Sequence, residues 1–175
     1  MNHPRPVGQS VPPSRCFFQD LGTRKVVADF SGGRLSSDGG ALLLRQVDAG
    51  LGVTRALAGC FVDRHRPELI EHQVPELLAQ RLYALALGYE DLNDHAELRR
   101  DPLLAAAAGK VDVLGEKRRC PEHRGFALAS PSTLNRLELS AEFSDYYRKV
   151  HPEPRAVEAT LLKWGCVVCP RTRRC

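Results

Sequence analysis

Residues 74–88, VPELLAQRLYALALG, constrain the fold more than any other stretch of this chain. Pro75 falls where the first turn of a helix has no use for a backbone N–H. Leu77, Leu78, Leu82, Leu85 and Ala86 then recur at three- and four-residue spacing until Gly88. The pattern predicts a core helix whose apolar stripe other elements must cover. Upstream, Leu42, Leu43, Leu44 and Val47 predict a helix over about 38–49, with Ser37 and Asp38 offering cap oxygens and Gly50 or Gly52 ending it. A short helix over Thr54–Gly59 is expected to start on a Thr54 cap. FVDRHRPELIEH, 61–72, reads as a connector, because Pro67 fixes its own φ and discourages helix before it. KVVADF, 25–30, is β-branched, ends in SGG and predicts one strand or half of a hairpin.

The next stretch, GYEDLNDHAELRRDP at 88–102, holds five acidic residues. It admits three readings: a carboxylate active site, tertiary ion pairs, or helix punctuation. Punctuation accounts for most of it. Asn93 or Asp94 is placed as an N-cap, Glu97 follows Asp94 by three as in a capping box, and Asp101-Pro102 opens a helix over LLAAAA that Gly109 closes. Residues 110–127 lack a period and predict a loop or insertion. In ASPSTLNRLELSAEFSDYYRKV, Ser130 caps, Pro131 starts a helix, and Leu134, Leu137, Leu139 and Phe143 form its apolar side, with a break near Ser140 and resumption through Tyr146 and Tyr147. The expected architecture is mainly α, a multi-helix region over 16–158 with a small β element near the N-terminus. A proline-rich disordered leader at 1–15 and an aberrant or disordered tail at 159–175 flank it.

Charge adds a direction. The net charge is +4, and between Arg99 and Arg124 seven Lys or Arg face four acids, while RTRRC at the end adds three arginines. Such clusters suit a polyanion, and a solvated basic face suits them equally. The leader has no apolar h-region and no window approaches the ~18 apolar residues of a membrane span, so a cytoplasmic location without membrane contact is expected. The six cysteines are expected to be reduced thiols. Cys120-x-x-His123 and Cys166-x-x-Cys169 have zinc spacing, but the 42 residues between them are long for a small zinc module, and no metal site is expected. His65, His72 and His95 are expected as polar surface or hydrogen-bonded residues and not as general bases.

Three blocks in order, FSGGRLSSDGGALLLRQVD, then FVDRHRPELIEHQVPELLAQRLYALALGYEDLNDHAELRRDPLLAAAAGK, then LASPSTLNRLE, resemble the N-terminal region of insertion-sequence DDE transposases of group one, the thirteen-eighty group. The likeness covers roughly Phe30 to Val157. It implies a mainly helical region that binds the element's terminal inverted repeats, ahead of an RNase H-like domain. That domain works with Mg²⁺, two ions about 3.5–4 Å apart held by converging carboxylates. The family continues into a strand of the form L-D-x-D-x-T. The corresponding residues here read LLKWGCVVCPRTRRC. The chain is therefore expected to be a fragment truncated before the catalytic domain, with a frame shifted from about Ala159, no catalytic residues and no cofactor of its own.

Under the resemblance, a helix capped at Ser130 presents Ser132, Thr133, Asn135 and Arg136 in its first two turns, where a recognition helix meets base edges or phosphates. An ordinary amphipathic helix with a solvated face is the competing reading. Arg99, Arg100, Lys117, Arg118 and Arg119 are then expected as phosphate contacts. The partner implied is DNA, with room for a homodimer. Two alternatives stay open: an inactive helical interaction or regulatory module, and the product of a pseudogene.

Overall fold

The computed structural model describes residues 16–28, 36, 38–138 and 149–168. The expected leader, the SGG turn, the Ser37 cap, the break near Ser140, and Leu139, Phe143, Tyr146, Tyr147 and Cys169 lie outside the described residues. The chain divides into two units, Met1–Ser37 and Asp38–Cys175. In the first, strand β1 (Cys16–Leu21) pairs antiparallel with β2 (Arg24–Ala28). Gly22, at φ 64°, opens the two-residue turn between them, a position where this hairpin connection needs positive φ. The strand expected over 25–30 is thus the second half of a hairpin.

The second unit is mainly α. Helix α1 (Ala41–Leu51) begins three residues later than expected, on Gly40 and with no side-chain cap. Asp38 is engaged elsewhere, its carboxylate accepting from the Tyr89 hydroxyl at 3.0 and 3.2 Å. Gly52, at φ 71°, ends α1 by donating its N–H to the Asp48 carbonyl. In α2 (Val53–Ala58) Thr54 is not the cap that was expected; Gly52 holds that position. The Thr54 backbone N–H and hydroxyl both donate to the buried Asp48 carboxylate, which also accepts from the Tyr83 hydroxyl at 2.8 Å. Burial raises the Asp48 pKa, but the bonds from Thr54 and Tyr83 and the charge of Arg45 outweigh it, leaving the group below its ordinary value.

Phe61–Asp63, read as connector, is strand β3, paired antiparallel with β4 (Val150–Pro152). A three-residue strand carries no period of its own and forms because a partner some 90 positions away supplies the bonds, so sequence pattern is silent on it. Helix α3 (Val74–Ala86) matches expectation and carries Pro75 in its first turn. Its start includes one further device, Glu76 accepting from the Gln73 N–H at 2.9 Å. One face of α3, with Ala79, Tyr83 and Ala84, packs with Ala41, Leu104, Ala105 and Leu128. The other, with Val74, Leu77 and Leu78, packs with Ala129, Leu134 and Leu137. Leu85, expected in the stripe, is 41% exposed.

The acidic stretch is punctuation, though not by every residue expected. Asp91 caps a 3-10 turn by accepting the Asn93 N–H at 2.8 Å, and Asp101 caps α5 (Pro102–Ala107) by accepting from Leu103 at 2.7 Å and Leu104 at 3.1 Å. Asp94 precedes α4 (His95–Leu98) without a side-chain cap bond, so the expected Asp94–Glu97 capping box is absent. Asp91, three residues earlier, has already turned the chain. Asp101→Ala is expected to cost about 1 kcal/mol of stability and Asp94→Ala under about 0.5 kcal/mol, read from urea unfolding of the two variants.

Helix α6 (Pro131–Glu138) starts on Ser130 as expected, its hydroxyl accepting the Thr133 N–H. Helix α7 (Pro154–Val168) includes Ala159. Among the described residues no helix is long and apolar enough to cross a membrane.

Candidate nucleic-acid interface

What holds α6 determines what it can present. Two neighbouring residues on α3 grip its two ends. The side-chain amide of Gln80, 1% exposed, donates to the Ala129 carbonyl at 3.0 Å and accepts the Ala129 N–H at 2.9 Å, fixing the residue just before the Ser130 cap. At the far end Arg81 pairs with Glu138 and also donates to the carbonyls of Tyr89 and Glu90. Leu134 and Leu137 are buried between these anchors. Ser132, Asn135 and Arg136 are consequently exposed, and Thr133 is half-buried. Sequence reasoning anticipated the face but missed both anchors.

Gln80 has a third bond, 3.1 Å from its Nε2 to Nδ1 of His95, a residue with no exposed surface. Because the amide oxygen is taken by Ala129, the Gln80 nitrogen is the donor, which makes His95 Nδ1 an acceptor and places its proton on Nε2. Burial, then the charge of Arg81, lowers the His95 pKa to about 4, with Asp94 and Glu138 opposing. His95 is thus a neutral core residue.

The expected phosphate contacts fall into two groups. Arg99 and Arg100 both lie over the Phe126 ring, at 3.7 and 4.9 Å from its centroid. An aromatic face draws cations by its quadrupole, so one ring holds two guanidinium groups whose charges repel each other. Burial and then Arg100 lower the Arg99 pKa. Phe126 was missed because a single aromatic in a polar loop carries no pattern. Lys117, Arg118 and Arg119 follow in the same loop, which Asp112 closes by accepting the Lys117 N–H at 2.6 Å. Lys117 and Arg119 are exposed. Arg118 points inward, paired with Glu71 at 3.1 Å and donating to His72 Nε2 at 2.6 Å.

Arg119 meets the α6 face at a cleft of about 290 Å³, together with Thr133 and Arg136 and with Lys149 beside β4. No carboxylate among the described residues lies within ion-pair range of Arg119, Arg136 or Lys149. Arg119 donates to the Glu68 carbonyl. Three of the expected DNA-binding side chains, Thr133, Arg136 and Arg119, are thereby brought together. Arg99 and Arg100 gather separately around Phe126.

Among the described residues no three His, Cys, Asp or Glu side chains are grouped closely enough to hold an ion, so these residues do not fit a paired-Mg²⁺ centre. Cys120 is a free, half-buried thiol, and the zinc grouping considered above requires Cys169, outside the described residues.

The family described as transposase DDE domain group 1 matches residues 18–165. No curated protein and no solved structure matches the chain.

Proposed function

This chain belongs to the transposase DDE domain group 1 family, and we propose that its part in transposition is to recognise DNA through the outward face of α6. The target is the terminal inverted repeats of a bacterial insertion sequence, bound on the nucleoid in the cytoplasm. Asn135 and Arg136 read base edges, Ser132 and Thr133 contact base edges or backbone, and Arg99, Arg100, Lys117 and Arg119 hold phosphates. Arg118 contributes charge from beneath the surface. The observation that carries this reading is the exposed Arg136, with no carboxylate among the described residues in ion-pair range, on a helix clamped at both ends. A rigid element places a donor better than a loop does.

Arg136→Ala is expected to weaken binding to a terminal-repeat duplex by ~1–3 kcal/mol while leaving an unrelated duplex nearly unaffected. A gel-shift titration in which the variant binds the repeat as tightly as the parent removes the assignment. Arg100→Ala is expected instead to weaken both duplexes and to flatten the salt dependence by roughly one counterion.

A second reading, a helical interaction module with homodimer contacts, is favoured by one observation. Leu161 and Leu162 on α7 are 55% and 64% exposed and flank Val157 in an apolar groove. Sedimentation of the full chain distinguishes the two, since a monomer at micromolar concentration leaves that groove without a second copy.

A further inference from the structure

We propose that the cleft beside α6 receives one unpaired nucleotide of the bound DNA, its base against the apolar floor and its phosphates at the cationic rim. The inference rests on the DNA-binding reading and extends it to a second kind of contact. The floor consists of Leu69, Ile70, Leu77, Leu137 and Val150. Arg119, Arg136 and Lys149 line the same cleft without carboxylate partners among the described residues. A volume of about 290 Å³ stands at the lower end of the range for small-ligand pockets, roughly 300–1,000 Å³, which suits a group the size of one nucleoside and excludes a duplex.

The polar walls supply both senses of hydrogen bond that a base edge needs. Asp63 and Glu71 are acceptors, the first already accepting the His65 backbone N–H at 2.8 Å and the second paired with Arg118 at 3.1 Å. The donors are Arg119 and Arg136. His72 lies behind them; its Nε2 accepts from Arg118, so in the neutral ring the proton sits on Nδ1, a buried atom with no partner among the described residues. Burial and the charges of Lys110, Arg118 and His123 keep the ring neutral, with a pKa of about 3. Proteins that take a nucleotide out of the stack recognise it in this way, with hydrogen bonds to the pairing edge and apolar contact to the faces. Position agrees with chemistry, because Arg136 and Thr133 belong both to the cleft and to the helix proposed to lie against DNA.

The experiment compares the full chain on two labelled duplexes of the same sequence, one fully paired and one with a single unpaired adenine, by fluorescence anisotropy in low salt. An unpaired base spares the protein the cost of unstacking, so binding to the bulged duplex is expected to be about tenfold tighter. Leu69→Trp fills the cleft from a position already 56% exposed in the folded protein. It is expected to remove the preference while retaining affinity for the paired duplex, which also reports that the variant is folded. Equal affinity of the parent for the two duplexes overturns the cleft inference and leaves DNA binding by α6 standing. A preference that persists in Leu69→Trp overturns it as well. Absence of binding to either duplex overturns the DNA-binding reading and the cleft with it.

Discussion

Gln80→Leu is expected to lower the unfolding free energy by roughly 4 kcal/mol, although leucine is close to glutamine in volume. The substitution fills the space and removes three hydrogen bonds, those to the Ala129 N–H, the Ala129 carbonyl and His95 Nδ1. Each partner is buried, and a buried polar group left without its partner costs about 1–3 kcal/mol. Ala129 and Leu128 have almost no exposed surface, so water cannot replace the lost bonds without opening the core. The same change loosens the start of α6. Variant protein that is still folded is therefore expected to bind terminal-repeat DNA less tightly than the parent, although Gln80 touches no surface. Urea unfolding followed by circular dichroism gives the first number, and a loss under about 1 kcal/mol would mean that the amide is not the anchor described.

Acid is expected to have an effect of similar size. His95 and His72 have pKa values lowered to about 4 and about 3, the first cause in each being burial. In the unfolded chain both return to the ordinary value near 6.5. As pH falls below 6.5 the unfolded state gains protons that the folded state refuses, so stability present above pH 6.5 is lost progressively until the folded pKa values are reached. For the two histidines together the loss between pH 7 and pH 5 is roughly 3 kcal/mol, a window in which carboxylates contribute little. Protonating His95 also sets two donors against each other, since Nδ1 could no longer accept from Gln80. Unfolding free energies that agree at the two pH values would contradict the neutral assignment of both rings.

These two effects arise where the sequence was hardest to read. The stripe of α3, the Asp101-Pro102 start of α5 and the Ser130-Pro131 start of α6 were legible because each is local: a period, or a cap within three residues of what it caps. Gln80 was not, because it stands inside an apolar stripe and its partner, Ala129, is 49 positions away. The same holds for β3 and β4, and for Phe126 beneath Arg99 and Arg100, where tertiary placement and not pattern joins the residues. Asp91 and Asp94 illustrate a subtler case. Both precede a turn of helix and both could cap it, and only the chain path through the intervening 3-10 turn decides for Asp91. Of the expected DNA-binding residues, the α6 set was legible as a face, whereas the inward turn of Arg118 depends on Glu71 and His72 from the segment before α3.

The central claim is that α6 lies against DNA. Photocrosslinking tests it most directly, with p-benzoylphenylalanine in place of Asn135 on α6 or, separately, of Leu162 on α7, and the chain irradiated on a labelled terminal-repeat duplex. Covalent DNA adducts are expected from position 135 and few from position 162. Adducts from position 162 with none from position 135, in protein that still binds the repeat, would place α7 and not α6 on the DNA.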